Sequence, residues 1–406
     1  MNKVLYRQEY IDRIRPFFDS EIIKVITGIR RSGKSKLLEM IEQDIKEKGI
    51  DDNHIIKINF DDMEYDYLTN AKSLDIYIKE HIKDKNKHYI FLDEIQNVSE
   101  FEKAIESIFT SQNVSIFITG SNSRLLSGEL STLLTGRTVE FELRPFTFYE
   151  YYEFSKINDI EFDVENGFND YLKWGGFPLR FDYYDDDSKN KYLNNLYNSI
   201  IEKDILGRYE IRNKNIFKRV SNYFMVNPGK LLSIKNLSNF IGTNENEKIS
   251  QRTIYNYFDY LSAAYLISPI KKYNINGKNE LKNVDKYYIV DTGFSYIKTN
   301  KIDFNETFLL ENIIYNELLY QGYEVYVGKT YKSEVDFVAI KNQEKFFIQV
   351  TYLLASKDTI DREFGAFSPI TDASQKIIMS LDNMDFTRDG IKHINILKFL
   401  LHKTKL

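Results

Sequence analysis

The sequence predicts an α/β fold: a mostly parallel sheet covered by helices on both faces, then a mainly helical segment, then a second, smaller α/β module. Three observations predict it. Short apolar runs at 22–27, 55–60, 89–92 and 114–118 alternate with stretches of helical periodicity over the first 150 residues. Continuous apolar strands separated by helices are the mark of a sheet buried on both sides. From about residue 148 to 266 helical spacing dominates, and the last 120 residues return to short strand runs.

Taken in order, strand 22–27 ends at a glycine, and the helix over 35–48 carries Leu37, Leu38, Met40, Ile41 and Ile45 at three-to-four spacing. Strand 55–60, helix 74–82, strand 89–92, helix 101–109 and strand 114–118 follow. A helix is expected over 124–134 and a strand over 138–143. In the middle, the acidic stretch 182–187 reads as a solvated turn, because clustered like charges repel. Residues 189–206 form a long amphipathic helix. A helix over 234–241 is expected to stop at Gly242, with Ser250 capping a second helix over 251–263. Asn276-Gly277 turns a hairpin, and two helices plus a hairpin are the layout of a winged helix-turn-helix. Then come strand 287–290, helix 308–320, strand 324–327, a hairpin over 334–340 and 345–350, a strand at 377–380 and a final segment at 394–399.

Composition sets bounds. At roughly 150 residues per domain, 406 residues suggest two or three domains. With 42% hydrophobic and 28% charged residues the chain is of ordinary globular type. The absence of cysteine excludes disulfides, thiolate catalysis, Cys-ligated zinc and iron–sulfur clusters, and fits a cytoplasmic location. Residues 1–18 are charged throughout, unlike a signal peptide, and no run of 18 apolar residues occurs, so no membrane contact is expected. A net charge of −5 argues against a surface coated in nucleic-acid-binding charge while permitting a local basic patch.

The strongest motif is Gly28-Ile29-Arg30-Arg31-Ser32-Gly33-Lys34-Ser35, which fits G-x-x-x-x-G-K-[ST] between a strand and a helix. Its glycines let backbone N–H groups turn inward around anionic oxygens, and the helix N-terminus adds its dipole. Lys34 would reach the β- and γ-phosphates of ATP, and Ser35 would bind Mg²⁺. The strand before Asp93-Glu94 supplies the partner acids: Asp93 to hold Mg²⁺, Glu94 to orient and deprotonate water. The fold is therefore expected to be that of a P-loop NTPase. In such a sheet the strand ending Thr119-Gly120-Ser121-Asn122 would lie beside the acidic strand. Ser121 or Asn122 could then reach the γ-phosphate, or could simply cap a helix. Arg137 reads equally as an arginine finger, which in trans would require a homo-oligomer, or as a structural arginine.

GIRRSGKS, FLDEIQ, FITGSNS, LLTGR and LRPFTFYEY together resemble the AAA-type ATPases of bacteria and archaea that carry a DUF4143 C-terminal region. The resemblance continues through WGGFP, EKDI with Arg208, YYIVDTGF, LLENIIYNELLYQGYEV, SEVDFVA and FIQVTY. That group is similar to the STAND ATPases, in which a Gly-x-Pro element of a helical lid contacts nucleotide; the resemblance gives that part to Gly176-Phe177-Pro178, which by its residues alone is an ordinary helix-breaking turn. The implied domains are a P-loop core at 1–150, a helical lid at 151–212, a winged helix at 213–285 and a restriction-endonuclease-like domain at 286–406.

In that last domain Glu311, Asp336 and Gln349 resemble a metal-dependent nuclease arrangement in degenerate form. Such chemistry needs clustered acids for Mg²⁺ and a lysine to position water. Here Gln349 replaces an acid and Thr351 stands at the lysine position. Lys376 is the candidate to substitute in space. Glu334 is a further ligand or merely a hairpin charge. The second winged-helix element offers Gln251, Arg252, Thr253 and Asn256 to base edges, with few phosphate-binding cations. The five histidines show no metal spacing, and Trp174 reads as core. The expected activity is Mg²⁺-dependent ATP hydrolysis that reorients a half binding DNA or a protein client. The alternatives are a slow nucleotide switch or DNA-binding regulator, and an ATP-dependent nuclease.

Overall fold

The computed structural model describes residues 2–123, 134, 136–245, 249–299, 306–331 and 333–406. It divides into two compact units, Val4–Arg144 with Ala263–Tyr265, and Met1–Lys3 with Pro145–Ser262 and Leu266–Leu406. The first thus ends at Arg144, against an expected boundary at 150.

In the first unit α1 (Gln8–Ile14) precedes β1 (Ile23–Thr27), α2 (Lys34–Glu47), β2 (Ile55–Asn59), α3 (Ala71–His81), β3 (His88–Asp93), α4 (Phe101–Ser111), β4 (Val114–Gly120) and β5 (Thr138–Glu142). The helix expected over 124–134 falls largely outside the described residues. The five strands are all parallel, in the order β2-β3-β4-β1-β5. Every residue of β1, β3 and β4 is buried, whereas edge strands β2 and β5 carry exposed positions. That difference explains why the central strands read as unbroken apolar runs. Leu74 and Ile78 of α3 and Ala104, Ile105 and Ile108 of α4 close one face of the sheet over Ile58, Ile90, Leu92 and Ile116. Because β4 is inserted between β1 and β3, the C-terminal ends of these three adjacent strands deliver the loop after β1, the acids after β3 and the polar residues after β4 to one edge.

The second unit begins with α5 (Phe148–Ile157), α6 (Val164–Trp174) and α7 (Asp186–Ser199). The expected single helix over 189–206 instead starts earlier and passes into a π-helical turn, Ile200–Leu206. There the fully buried Asp204 receives a hydrogen bond from Arg208 at 3.3 Å. Stretch 182–187 is exposed as expected, with Asp185 capping α7. Helices α8 (Lys214–Val226), α9 (Ile234–Glu245) and α10 (Gln251–Ala263) follow. Helix α9 does not stop at Gly242, since a single glycine only weakens a helix. Ser250 caps α10 through the Thr253 amide at 3.1 Å.

Strands β6 (Ile267–Asn274) and β7 (Asn279–Ile289) make the expected hairpin, but β6 also pairs in parallel with β8 (Glu324–Lys329). With α11 (Thr292–Lys298), α12 (Glu306–Tyr320), β9 (Glu334–Lys341), β10 (Glu344–Val350), α13 (Lys357–Gly365), β11 (Gln375–Ser380), β12 (Ile391–Asn395) and α14 (Ile396–Leu400), the hairpin completes a seven-stranded sheet ordered β12-β11-β10-β9-β8-β6-β7. The hairpin is therefore the edge of the C-terminal sheet, and β7 runs straight through the expected boundary at residue 285. The reason is that β8 satisfies the free edge of β6, which a separate wing would leave unpaired.

Two motifs of this unit interlock. Gly175 (φ +70°) ends α6, and a Cβ there would lie 1.7 Å from the Asp291 carboxylate. Asp291 accepts the Gly176 amide at 2.6 Å and the Gly293 amide at 2.9 Å, so WGGFP and VDTGF are tied through one buried acid. Trp174 is buried against Tyr296. No helix among the described residues is long and apolar enough to cross a membrane.

Candidate phosphate-binding and catalytic site

The loop after β1 turns through three left-handed residues: Gly28 (φ +136°), Arg31 (φ +68°) and Gly33 (φ +104°). Gly28 is obligatory for contact as well as conformation, because a Cβ would lie 2.1 Å from the Leu143 carbonyl oxygen. Gly33 is the N-cap of α2, whose first-turn amides have no partner earlier in the helix. The buried Lys34 ammonium donates to the carbonyls of Gly28 and Ile29 at 3.1 and 3.2 Å, which draws the loop around it. Ser32 is fully buried and its hydroxyl has no hydrogen-bond partner. Arg7 ties the loop to the end of β5 by donating to the carbonyls of Ser32 and Arg144. Ile29 is buried, Arg30 half-buried, and Arg31 and Ser35 are exposed. An ammonium, an unpartnered hydroxyl and the amides that open α2 form a donor set that fits phosphate oxygens.

Asp93 ends β3, and Glu94 leaves it in a left-handed conformation (φ +56°) rare for a non-glycine residue. Such strain persists only where the surroundings hold it. Here Thr119 of β4 holds it: its hydroxyl donates to Asp93 Oδ1 at 2.5 Å and accepts the Glu94 amide hydrogen at 2.9 Å. Gln96 donates to the other side of the Glu94 carboxylate. Glu94 Oε1 lies 3.8 Å from Lys34 Nζ, so the acid and the loop lysine face each other. Sequence reasoning gave Thr119 no role; its signal was a hydroxyl directly before Gly120, at the strand end that faces the acids. The Asp93 carboxylate and Ser35 hydroxyl are hard oxygen donors of the kind Mg²⁺ takes.

Ser121 and Asn122 are buried just beyond β4, at this same edge. Arg137 is not at it. Its carbonyl accepts the amide of Ile23 at the start of β1, and its exposed guanidinium sits 5.7 Å from the Phe109 ring. The loop lies at the other end of β1, so Arg137 does not reach the phosphate site of its own chain. Pro178 belongs to the second unit, where it opens a short 3-10 turn, Pro178–Asp182.

The C-terminal residues do converge. The Asp336 carboxylate accepts the Val350 amide at 2.8 Å, and Gln349 accepts the Asp336 amide at 3.3 Å. Burial, with Glu311 next, pushes Asp336 well above the usual carboxylate range. The lysine at this cluster is neither at position 351 nor Lys376, which bonds the Ile370 carbonyl instead. It is Lys286 of β7, 2.5 Å from Glu311 and 3.9 Å from Glu334. Burial pulls the pKa of that ammonium down, but Glu311 and Asp336 beside it outweigh burial and raise it above the usual lysine value. Tyr288 also donates to Glu311.

The parallel sheet, the glycine loop and the acids at adjacent strand ends define an AAA-type P-loop ATPase, and residues 20–152 match the family model of an AAA domain. The chain belongs to one family with an uncharacterized protein of Haemophilus influenzae, 35% identical over 400 residues that cover 98% of this chain and 99% of the relative. Uncharacterized protein MJ1544 of Methanocaldococcus jannaschii is 31% identical over 387 residues, 92% of this chain and 84% of that one. Residues 165–302 match a domain of unknown function, DUF8612, and not the DUF4143 region that the sequence resembles. Among solved structures, the Walker-type ATPase PABY2304 of Pyrococcus abyssi is similar at 14% identity and a TM-score of 0.48, covering 73% of this chain and 96% of that one. The ORC2 protein of Aeropyrum pernix is similar at 10% identity and a TM-score of 0.42, covering 76% and 91%.

Proposed function

We propose that the first unit binds ATP and hydrolyses it. Lys34 and the amides opening α2 hold the β- and γ-phosphates, and Ser32 donates its buried hydroxyl to the same oxygens. Glu94 orients water toward the γ-phosphorus and takes its proton as the bond to the β–γ bridging oxygen breaks. Ser35 and Asp93 would hold Mg²⁺, which when bound neutralises charge on the phosphates. The observation that carries this reading is the Thr119 hydroxyl shared between Asp93 and Glu94. It fixes both acids relative to the lysine. The test is turnover of ATP with Mg²⁺ by the full chain. Lys34→Ala should abolish nucleotide binding, and Glu94→Gln should retain binding while lowering kcat by about 10²–10⁴. Unchanged rates in both variants would refute hydrolysis at this site.

A coupled binding role is the second part of the reading. Helix α10 exposes Gln251, Arg252, Tyr255 and Asn256 on one face, groups that suit DNA bases or a protein client. Binding that weakens steeply with salt would favour DNA. The acidic cluster around Lys286 we read as structural, because its own ammonium neutralises the acids that a nuclease would offer to metal. A finger role for Arg137 is open only in trans, in a homo-oligomer, and a nucleotide contact by Pro178 rests on the resemblance alone.

A further inference from the structure

We propose that His54, Asp84 and His88 form a binding site for a divalent transition metal of the zinc class, at the sheet edge opposite the phosphate loop. Strands β2 and β3 are parallel neighbours with Ile55 paired to Tyr89. The residues one step earlier, His54 and His88, are therefore neighbours too, with ring centroids 4.9 Å apart. Asp84 lies in the turn leading into β3. Its carboxylate accepts the Asn86 amide at 2.8 Å and faces His54 Nε2 at 3.1 Å. One donor atom from each of the three residues lies within 4.8 Å of the other two.

His88 is preset as a ligand. Its side chain is fully buried, and its Nδ1 lies 2.9 Å from the Asn86 carbonyl. A carbonyl only accepts, so Nδ1 carries the proton and Nε2 keeps its lone pair. A backbone carbonyl on the far nitrogen is the usual outer partner of a metal-bound imidazole. The Lys83 amide donates to Nε2 at 3.2 Å, a bond that a metal would have to displace. His54 would bind through Nε2, its neutral ring carrying the proton on Nδ1 instead of sharing it with Asp84. Two imidazoles and one carboxylate, with no sulfur, select zinc, cobalt or nickel over magnesium or calcium, and water completes a tetrahedron. The metal would clip edge strand β2 to β3. The site is independent of ATP chemistry: β3 is six residues long, so Asp93 lies about 16 Å from His88 at ~3.3 Å per residue.

The test uses the full chain, stripped with EDTA and held in excess Mg²⁺ so that oxygen-rich sites are filled. Titration with Co²⁺ should give the visible absorption of tetrahedral cobalt at one equivalent, displaced by Zn²⁺. His54→Gln and Asp84→Asn should each weaken Co²⁺ binding by about tenfold or more, while His81→Gln leaves it unchanged. The two weakened variants should keep full ATP turnover. No visible band at millimolar Co²⁺, a band indifferent to both substitutions, or a band lost in His81→Gln would each overturn the assignment.

Discussion

Thr119 and Asp93 share a 2.5 Å hydrogen bond across neighbouring strands, and the same hydroxyl accepts the amide of Glu94. Thr119→Val keeps the shape and removes both bonds. It should cost about 1–3 kcal/mol of stability, the price of a buried polar group left unsatisfied. It should also lower kcat for ATP about 10–100-fold while leaving ATP affinity nearly intact, since Lys34 is untouched. Thr119→Ser should restore most of both. Steady-state kinetics and urea unfolding of the three proteins check this, and an unaltered kcat in Thr119→Val would remove the positioning role.

Asp291 should give the second unit a measurable pH dependence. Burial raises its pKa to about 6, although the amides of Gly176 and Gly293 pull the other way. The folded state therefore holds this proton more tightly than the unfolded chain, whose carboxylates titrate near ~3.9. Stability from this group is full below that value and falls as pH rises from about 4 to about 6. In Asp291→Asn the dependence should vanish. Relative to the variant, the wild type should gain up to about 3 kcal/mol between pH 7 and pH 4. Urea midpoints across that range measure the difference.

Lys286 neutralises Glu311 at 2.5 Å, beside the buried Asp336. Lys286→Met should destabilise the protein by about 3–5 kcal/mol at neutral pH, as expected when one partner of a buried pair is removed. Adding Glu311→Gln should recover most of that loss. If the single variant were as stable as wild type, the cluster would not be a structural ion pair, and metal binding there would need to be reconsidered.

Much of the first unit could be read from sequence because its signals are local. The loop 28–35 and the Asp93-Glu94 pair are contiguous, and β1, β3 and β4 are buried on both faces, which leaves unbroken apolar runs. What stayed hidden depends on register. Thr119 matters because β4 lies between β1 and β3, and His54 meets His88 only because β2 and β3 pair in parallel from their first residues. The acids at Glu311 and Asp336 were visible, but their lysine was not. Lys286 comes from a strand nearly 50 residues before Glu334 in sequence, brought close only by the sheet. That a strand runs through residue 285 was hidden for the same reason, since hairpin periodicity does not reveal which third strand will join it. For Arg137 the sequence left a finger and a structural arginine equally open, because proximity along the chain said nothing about which end of β1 it would occupy.

The pairing of β6 with β8 also sets an order of events on the ribosome. All strands of the first sheet have been made once Glu142 emerges, so that sheet can close early. The inner edge of β6 has no such luck: Lys272 must wait for Val327 before it can pair. At ~5–20 residues per second the nascent hairpin carries an open edge for about 3–11 s. This interval, more than the finished fold, is when the chain is exposed to mispairing, and slowing translation between those two residues should lower the soluble yield.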